Sequence, residues 1–345
     1  MSRAIHFDIT HAVTLPVNLP STTVSGAAKP IGVALAAIKA LPVVSQEVWD
    51  TQHIPLSTQA ELTQRWHQQQ IAVDYRLKKY FEGKEFIPWG PNRSDEELKQ
   101  EYIALTQLRG AAWYDVTAPE LERAWREDFR PAAHLSHTLR YPNCVAFTYN
   151  HVHPHYNGNL VLAGGQRFLA LEGPEKKTVR TFFHVLRDMG AALVVRLTPS
   201  IENHIERCYD YWTSHVKGDK LEIPRSLSNR PTVVDYLATD NWQDDSHLNV
   251  DLLLEMLLKA RHIYDPKKGP MAVHCSAGVG RTGTFIAAYY LISEIDAQIA
   301  RGEIPNVSVE FITAYLGLQR FHMVASAAQY INLYRVVEKY LAMRS

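Results

Sequence analysis

The sequence predicts an α/β fold, in which a mixed, twisted sheet is flanked by helices and preceded by a helical N-terminal region. Two observations carry this prediction. After about residue 138, short apolar runs bounded by Gly and Pro alternate with long amphipathic stretches, which is typical of strands and helices that share one sheet. Before that point, helix start signals dominate. A chain of 345 residues is long enough to bury a large core around such a sheet.

The individual elements follow from the spacing of the apolar residues and from the breakers between them. Strands are predicted where short apolar runs lie between turn residues, at 161–163, 168–171, 191–197 and 271–273. Helices are predicted where apolar residues recur every three or four positions, at 174–189, 252–263, 279–299, 307–318 and 326–341. Arg196 falls inside a predicted buried strand, so it requires a partner that the sequence does not name.

The chain is predicted to divide at about residue 94. Ser94 and Glu97 have the spacing of a capping box, which marks the start of a helix, and a similar pair lies upstream at 58–61. Residues 1–94 are interpreted as a largely helical extension of unassigned function. Residues 95–345 are interpreted as the unit that carries the chemistry.

Charge and composition exclude several classes of protein. Lys plus Arg and Asp plus Glu both number 36, so no global basic field is present and a nucleic-acid partner is not expected. Three cysteines do not form a disulfide framework and fit a reducing compartment or a reactive thiol. The most apolar stretch, 31–44, is too short to span a bilayer and is interrupted by Lys39 and Pro42, so no membrane span is expected.

One segment, HCSAGVGRTGTF at 274–285, has the residues of an anion-binding loop. It leaves a short apolar strand and enters a long helix, so successive backbone N–H groups and the positive helix end converge on one point. Gly278 and Gly280 allow the backbone to approach an anion closely. Arg281 can donate two parallel hydrogen bonds to phosphate oxygens. The segment therefore predicts a phosphate cradle.

Cys275 stands at the start of this loop, where the field of the cradle favours its thiolate. A thiolate that faces a bound phosphate is suited to attack phosphorus and form a covalent phosphocysteine, with no cofactor or metal. A buried, inert cysteine is the alternative, and it leaves the glycines and Arg281 unexplained. The histidines of HVHPH at 151–155 lack a paired carboxylate or cysteine set, so no metal site is predicted there.

The loop resembles the signature loop of the classical protein tyrosine phosphatases, and further segments match. Arg140-Tyr141-Pro142-Asn143 resembles the family's phosphotyrosine loop, the stretch 168–198 follows its strand–turn–helix–strand order, and 207–212 resembles its Lys-Cys-x-x-Tyr-Trp segment. The resemblance covers about residues 95 to 345. It implies that phosphate and substrate are bound by Ser276, Ala277, Gly278, Val279, Gly280, Tyr141 and Asn143. It also implies supporting roles for His274, Thr282, Glu202 and Gln329.

The resemblance also implies a general acid. Asn241-Trp242-Gln243-Asp244 is similar to the family's mobile Trp-Pro-Asp loop, so Asp244 is expected to protonate the leaving group and Asp245 is the alternative. Three positions depart from the family pattern. Gln243 replaces a proline, and Glu172 and Ala325 each replace a glutamine.

The expected activity is hydrolysis of phosphotyrosine in proteins or peptides. Two alternatives stay open: a phosphatase for inositol phosphates, phosphoinositides or phosphoserine and phosphothreonine, and a degenerate phosphotyrosine-binding module. The short segment between Trp212 and Trp242 resembles bacterial members of the family. That analogy implies a cytoplasmic enzyme or an effector secreted into a host cell.

Overall fold

The computed structural model describes residues 89–114, 139–142, 144–147, 150–224, 232–243 and 248–344. The strands in this part of the chain are β1 His151–His153, β2 Tyr156–Ala163, β3 Gln166–Leu171, β4 Leu193–Arg196, β5 Ile201–Glu202, β6 Ile205–Glu206, β7 Val216–Lys217, β8 Lys220–Ile223, β9 Thr232–Ala238 and β10 Met271–His274. The helices are α1 Asp95–Tyr114, α2 Val179–Asp188, α3 Trp212–His215, α4 Val250–Ile263, α5 Gly280–Ala300, α6 Val309–Gln319 and α7 Ala327–Ala342.

Eight strands form one mixed sheet in the order β1-β2-β3-β10-β4-β9-β8-β7, while β5 and β6 pair as a separate hairpin. The central strands β3, β10, β4 and β9 are parallel, and the flanking pairs are antiparallel. Because β10 lies between β3 and β4, the loop that follows it leaves from the middle of the carboxyl edge. In sheets of this kind, ligands bind outside the carboxyl ends of the parallel strands.

The two faces of the sheet are covered by different helices. Val273 of β10 belongs to a large apolar cluster that includes residues of α1, α4, α5, α6 and α7. Its neighbour Ala272 points to the opposite face and belongs to a second cluster with Phe182 and Phe183 of α2. Most side chains of α5 are buried, which makes it the central helix of the larger layer. Helix α5 is therefore held firmly where it receives the loop from β10.

The predicted mixed sheet flanked by helices is confirmed, and the predicted strands overlap β2, β3, β4 and β10, while the predicted helical region before residue 89 lies outside the described residues. The helix predicted from residue 174 begins only at Val179, because Glu175 and Thr178 hydrogen-bond to each other in a turn before it. The strands β7 to β9 were not predicted. In β9 buried and exposed positions do not alternate regularly, so the strand lacks a clear period.

Helix α1 begins where the capping box predicted. The backbone N–H of Ser94 donates to Glu97 Oε2 at 2.8 Å, and the N–H of Glu97 donates to Ser94 Oγ at 3.3 Å. The N–H of Trp89 donates to the carbonyl of Val307 at 2.7 Å, so the last residues before the proposed boundary pack on the following unit. The predicted helix near residue 58 lies outside the described residues, and the boundary at 94 stays a prediction. Within the described ranges, no helix has both the length and the apolarity needed to cross a bilayer.

Candidate active site

The Cys275 thiol and the Arg281 guanidinium are both buried, at the carboxyl end of β10 and the first turn of α5. Gly278, between them, has a φ of 73°, and a Cβ placed on it would lie 2.1 Å from the carbonyl oxygen of Leu171. Only glycine fits both the backbone angle and the contact. The loop can therefore fold tightly against the end of β3, as its glycines predicted.

The carbonyl groups of the loop are each held by a donor from outside the cradle. His274 Nδ1 lies 3.2 Å from the carbonyl oxygen of Cys275, and the N–H of Gly173 donates to the carbonyl of Ser276 at 2.9 Å. The next two carbonyls, those of Ala277 and Gly278, accept from the Nη2 and Nε of Arg320 at 3.0 and 2.7 Å.

This arrangement sets the direction of the backbone N–H groups. In a trans peptide the C=O and the following N–H point in opposite directions. Because the carbonyls of residues 275 to 278 point outward, the N–H groups of residues 276 to 279 turn toward the centre of the loop. The N–H of Gly278 accordingly lies 3.3 Å from Cys275 Sγ. The loop therefore presents converging donors to an anion beside the thiol.

The His274 ring supports the loop in its neutral form. It is fully buried, and this burial lowers its pKa to about 3. The carbonyl oxygen of Cys275 can only accept a hydrogen bond, so Nδ1 carries the single ring proton. Nε2, 2.7 Å from the Tyr211 hydroxyl, then accepts from that hydroxyl. The resemblance predicted that His274 influences the thiolate of Cys275. In the structure, the His274 ring contacts the backbone carbonyl oxygen of Cys275.

The Arg281 guanidinium lies between the loop and two outside acceptors. Its Nη1 donates to the backbone oxygen of Trp242 at 2.6 Å and lies 3.7 Å from Glu202 Oε2. The same Glu202 oxygen is 3.2 Å from Arg207 Nε, so one carboxylate serves two arginines. The predicted brace, Glu202, is thus beside Arg281, and Arg207 is a partner that the sequence did not indicate. The β5–β6 hairpin is the element that brings Glu202 there.

Tyr141 is fixed against the rim of the loop. Ser276 Oγ donates to the carbonyl of Arg207 at 2.8 Å, so the Tyr141 hydroxyl must donate to Ser276 Oγ, which is 2.9 Å away. The Tyr141 oxygen in turn accepts from Arg207 Nη1 at 2.9 Å. These two hydrogen bonds fix the Tyr141 hydroxyl beside the loop.

Gln329 reaches the same loop from the start of α7. It is fully buried, and its Oε1 accepts from the backbone N–H of Ala325 at 2.9 Å. A Cβ placed on Gly280 would lie 2.9 to 3.2 Å from the Gln329 amide and from Ala325 Cβ. The amide therefore abuts the phosphate loop, with the Ala325 methyl group beside it. The Ser326 side chain accepts a hydrogen bond from the N–H of Gln329 and is the N-cap of α7.

Other predicted site residues are buried in the loop or lie outside the described residues. Thr282 is fully buried in the first turn of α5, and Val279 is buried just before it. Asn143 and Asp244 are outside the described residues, so their roles stay predictions. In the part of the chain that is described, no three His, Cys, Asp or Glu side chains come together as ligands for a metal ion.

Together these contacts define the class of the site: a cysteine thiol lies beside a loop whose backbone N–H groups can bind a phosphate group. The sequence model of the protein-tyrosine phosphatase family matches residues 136–225 and 214–339, more than half of the chain, and the chain belongs to this family.

Curated relatives match the same part of the chain. The receptor-type tyrosine-protein phosphatase epsilon of Rattus norvegicus is 28% identical over 199 residues, which cover 50% of this chain and 28% of the relative. Tyrosine-protein phosphatase 69D of Drosophila melanogaster is 26% identical over 213 residues, which cover 52% of this chain and 14% of the relative. The chain thus spans less than a third of the length of either relative.

Solved structures show the same fold. The catalytic domain of human protein tyrosine phosphatase non-receptor type 18 superposes with a TM-score of 0.56 at 22% identity, covering 71% of this chain and 96% of that domain. A protein tyrosine phosphatase of Trypanosoma cruzi superposes with a TM-score of 0.57 at 19% identity, covering 72% of this chain and 93% of its own.

Proposed function

We propose that the protein hydrolyses phosphotyrosine in proteins or peptides through a phosphocysteine intermediate. One observation carries the proposal: the Cys275 thiol lies under a loop whose N–H groups are turned inward by fixed outside donors. Preorganised donors of this kind stabilise negative charge where it develops, and they do so without reorganisation during the reaction. A thiol beside such a cradle is placed to attack a bound phosphoryl group.

In the first step the Cys275 thiolate attacks phosphorus, an S–P bond forms and the P–O bond to the tyrosine breaks. Asp244 donates a proton to the departing phenolate oxygen. In the second step water attacks phosphorus, Asp244 takes its proton, the S–P bond breaks and inorganic phosphate leaves. Arg281 binds two phosphate oxygens, and Glu202 orients Arg281. Gln329 contributes to the placement of the water.

Tyr141 supports specificity for phosphotyrosine. The Tyr141 hydroxyl is held by Ser276 and Arg207 beside the phosphate loop, and we expect its ring to stack against a long phosphoaryl side chain. The loop itself carries no lysine, which disfavours highly charged inositol phosphates. The proposed partner is therefore a phosphotyrosine protein.

The organisation of the rest of the chain belongs to the same proposal. Residues 1–94 would form an extension to a catalytic unit at 95–345. The cysteines of the described residues, Cys144, Cys208 and Cys275, are free thiols, which supports a reducing compartment. The cytoplasm, either of the producing cell or of a host cell, meets this condition.

Turnover of small aryl phosphates tests the proposal. The wild-type chain should hydrolyse p-nitrophenyl phosphate and a phosphotyrosine peptide, and Cys275→Ser should abolish both activities. Cys144→Ser, which alters another buried thiol, should keep them. Binding of the peptide without any hydrolysis would identify a phosphotyrosine-binding module. Faster turnover of phosphoserine peptides or inositol phosphates would reassign the substrate.

A further inference from the structure

Arg196 is a buried cation at the carboxyl end of β4, and nothing in the proposed chemistry uses it. The strand register places it between His274 of β10 and Ala238 of β9. Only 4% of its surface is exposed, and its guanidinium lies 3.7 Å from the centre of the Trp212 ring. Burying a charge is costly unless its partners satisfy it, so the contacts of Arg196 show what it holds.

The guanidinium contacts the end of β9 and the residues that follow it. Arg196 Nη1 donates to Asp240 Oδ1 at 2.5 Å and also to the carbonyl of Thr198. The N–H of Thr239 donates back to the carbonyl of Arg196 at 3.0 Å. Asp240 is mostly exposed, with 61% of its side chain accessible, and its ion pair with Arg196 links it to the sheet. It stands two residues before Trp242.

On its other side, Arg196 contacts a tyrosine of β9. Its Nε donates to the Tyr236 hydroxyl at 2.7 Å, and the Tyr236 ring meets the Tyr211 ring edge to face, with 6.4 Å between their centroids. The Tyr211 hydroxyl donates to His274 Nε2, as the tautomer of His274 requires.

His274 continues from Tyr211 to the phosphate loop, since its Nδ1 contacts the carbonyl oxygen of Cys275. Three side chains therefore separate Arg196 from the first carbonyl of the cradle, whereas Arg196 contacts Asp240 directly.

The residues after Asp240 return to the same site. The Trp242 side chain is fully buried, and its carbonyl accepts from Arg281 Nη1 at 2.6 Å. The segment from Asp240 to Trp242 is thus held at both ends by arginines, and Asp244 follows two residues later.

We propose that Arg196 and Asp240 are positioning residues, which fix the stem of the segment that carries Asp244 relative to the phosphate loop. The inference rests on the proposed function, in which Asp244 protonates the leaving group. Without the pair, Asp244 is expected to reach the leaving-group oxygen less often, while the cradle and the thiol are unchanged. A misplacement of about 1 Å in a catalytic group can cost up to about 10²-fold in rate.

The test compares substrates that differ in their need for an acid. A phenolate that is a poor leaving group requires the proton, whereas 2,4-dinitrophenolate does not. For Asp240→Ala we expect kcat/KM to fall about tenfold with phenyl phosphate and less than twofold with 2,4-dinitrophenyl phosphate. Arg196→Lys keeps the charge but loses the fork that joins two acceptors, so it should show the same split. Asp235→Ala, which breaks an ion pair between Asp235 of β9 and Lys220 of β8, is the matched control and should show none.

The outcomes separate this inference from the proposed function. Equal losses on both substrates in Asp240→Ala, or no loss on either, would overturn the inference. Asp244→Asn provides the reference, since it should lose far more activity with phenyl phosphate. If Asp244→Asn shows no such split, the acid assignment fails, and the inference fails with it. If Asp244→Asn shows the split and Asp240→Ala does not, only the inference fails.

Discussion

The Nε of Arg320 donates a hydrogen bond of 2.7 Å to the carbonyl oxygen of Gly278, across 42 residues of sequence. The Arg320 side chain is 1% exposed, and its Nη1 donates to Asn159 Oδ1 at 2.8 Å. Burial lowers its pKa, and its hydrogen-bond acceptors are backbone carbonyl oxygens and asparagine amide oxygens. Its positive charge therefore lies directly behind the cradle, where it adds to the field that a bound phosphate experiences.

Replacing Arg320 should impair phosphate binding and the first chemical step together. Arg320→Lys leaves a single ammonium group, which cannot reach both the Ala277 and the Gly278 carbonyl in the fork geometry of arginine. We expect kcat/KM for p-nitrophenyl phosphate to fall about 10²-fold, since one donor to such a loop is worth roughly 3 kcal/mol. Inhibition by vanadate should weaken in parallel.

Arg335→Lys is the matched control, because Arg335 is a partly exposed arginine of α7 that pairs with Asp95. Its kinetics should match the wild type. Circular dichroism and the thermal midpoint separate a loss of fold from a loss of the cradle. An Arg320→Lys variant with unchanged kcat/KM would show that the backbone holds the loop without it.

Glu172 is a buried carboxyl beside the same network. It is 7% exposed, its Oε2 accepts from Asn157 Nδ2 at 3.1 Å, and burial raises its pKa from 4.5 to about 7. Between these two pH values the folded protein keeps a proton that the unfolded chain has lost. The free energy of unfolding should therefore decrease as pH rises through this window and level off above it.

Glu172→Gln removes this titration and keeps the shape of the side chain. Near pH 4.5 the two proteins should be about equally stable, and at pH 8 the variant should be more stable by about 3 kcal/mol. Urea unfolding at several pH values measures the difference. A pH-independent difference for Glu172→Gln would show that the pKa of Glu172 is the same in the folded and the unfolded protein.

The phosphate loop could be predicted because its groups are contiguous in sequence. Cys275, the glycines and Arg281 lie within one strand–loop–helix segment. Glycine readily adopts the positive φ that Gly278 has, so the residue type itself indicates this conformation. The outside donors could not be predicted in the same way. Arg320 follows α6 and contacts the loop only because α6 and α5 pack together, and no local pattern encodes that contact.

The partners of Arg196 could not be predicted from the sequence for a related reason. A buried arginine in a strand predicts a partner, but the partners Tyr236 and Asp240 are on β9 and just after it. That strand was not predicted, since its exposure is irregular. Pairing between distant strands depends on the whole topology, whereas a cap such as Ser94 with Glu97 depends on four consecutive residues.

The assignment of the general acid can be decided between two adjacent carboxylates. If Asp244 is the acid, Asp244→Asn should lower kcat/KM for phenyl phosphate by about 10²-fold or more and flatten the basic limb of the pH profile. Asp245→Asn serves as the neighbouring control and should retain most activity. A larger loss in Asp245→Asn, with Asp244→Asn nearly normal, would transfer the role to Asp245.

The rate-limiting step should reflect the missing amide at residue 325. Gln329 Oε1 is already engaged by the N–H of Ala325, and the Ala325 methyl group lies beside the start of α5. A methyl group cannot orient the water that attacks phosphocysteine, and poor placement of a nucleophile can cost about 10²-fold in rate. We therefore expect breakdown of the phospho-enzyme to limit turnover, so that a rapid burst of p-nitrophenol precedes a slower steady phase.

Ala325→Gln tests this expectation directly, because residue 325 is exposed and can accept a longer side chain. Stopped-flow measurements should show a smaller burst and a faster steady rate in the variant, while Ala325→Leu, of similar size but without an amide, should leave both unchanged. Ser326 cannot readily replace the amide, since its hydroxyl accepts from the N–H of Gln329 as the N-cap of α7. Linear product formation from the first turnover, unaltered in Ala325→Gln, would show that Gln329 alone places the water.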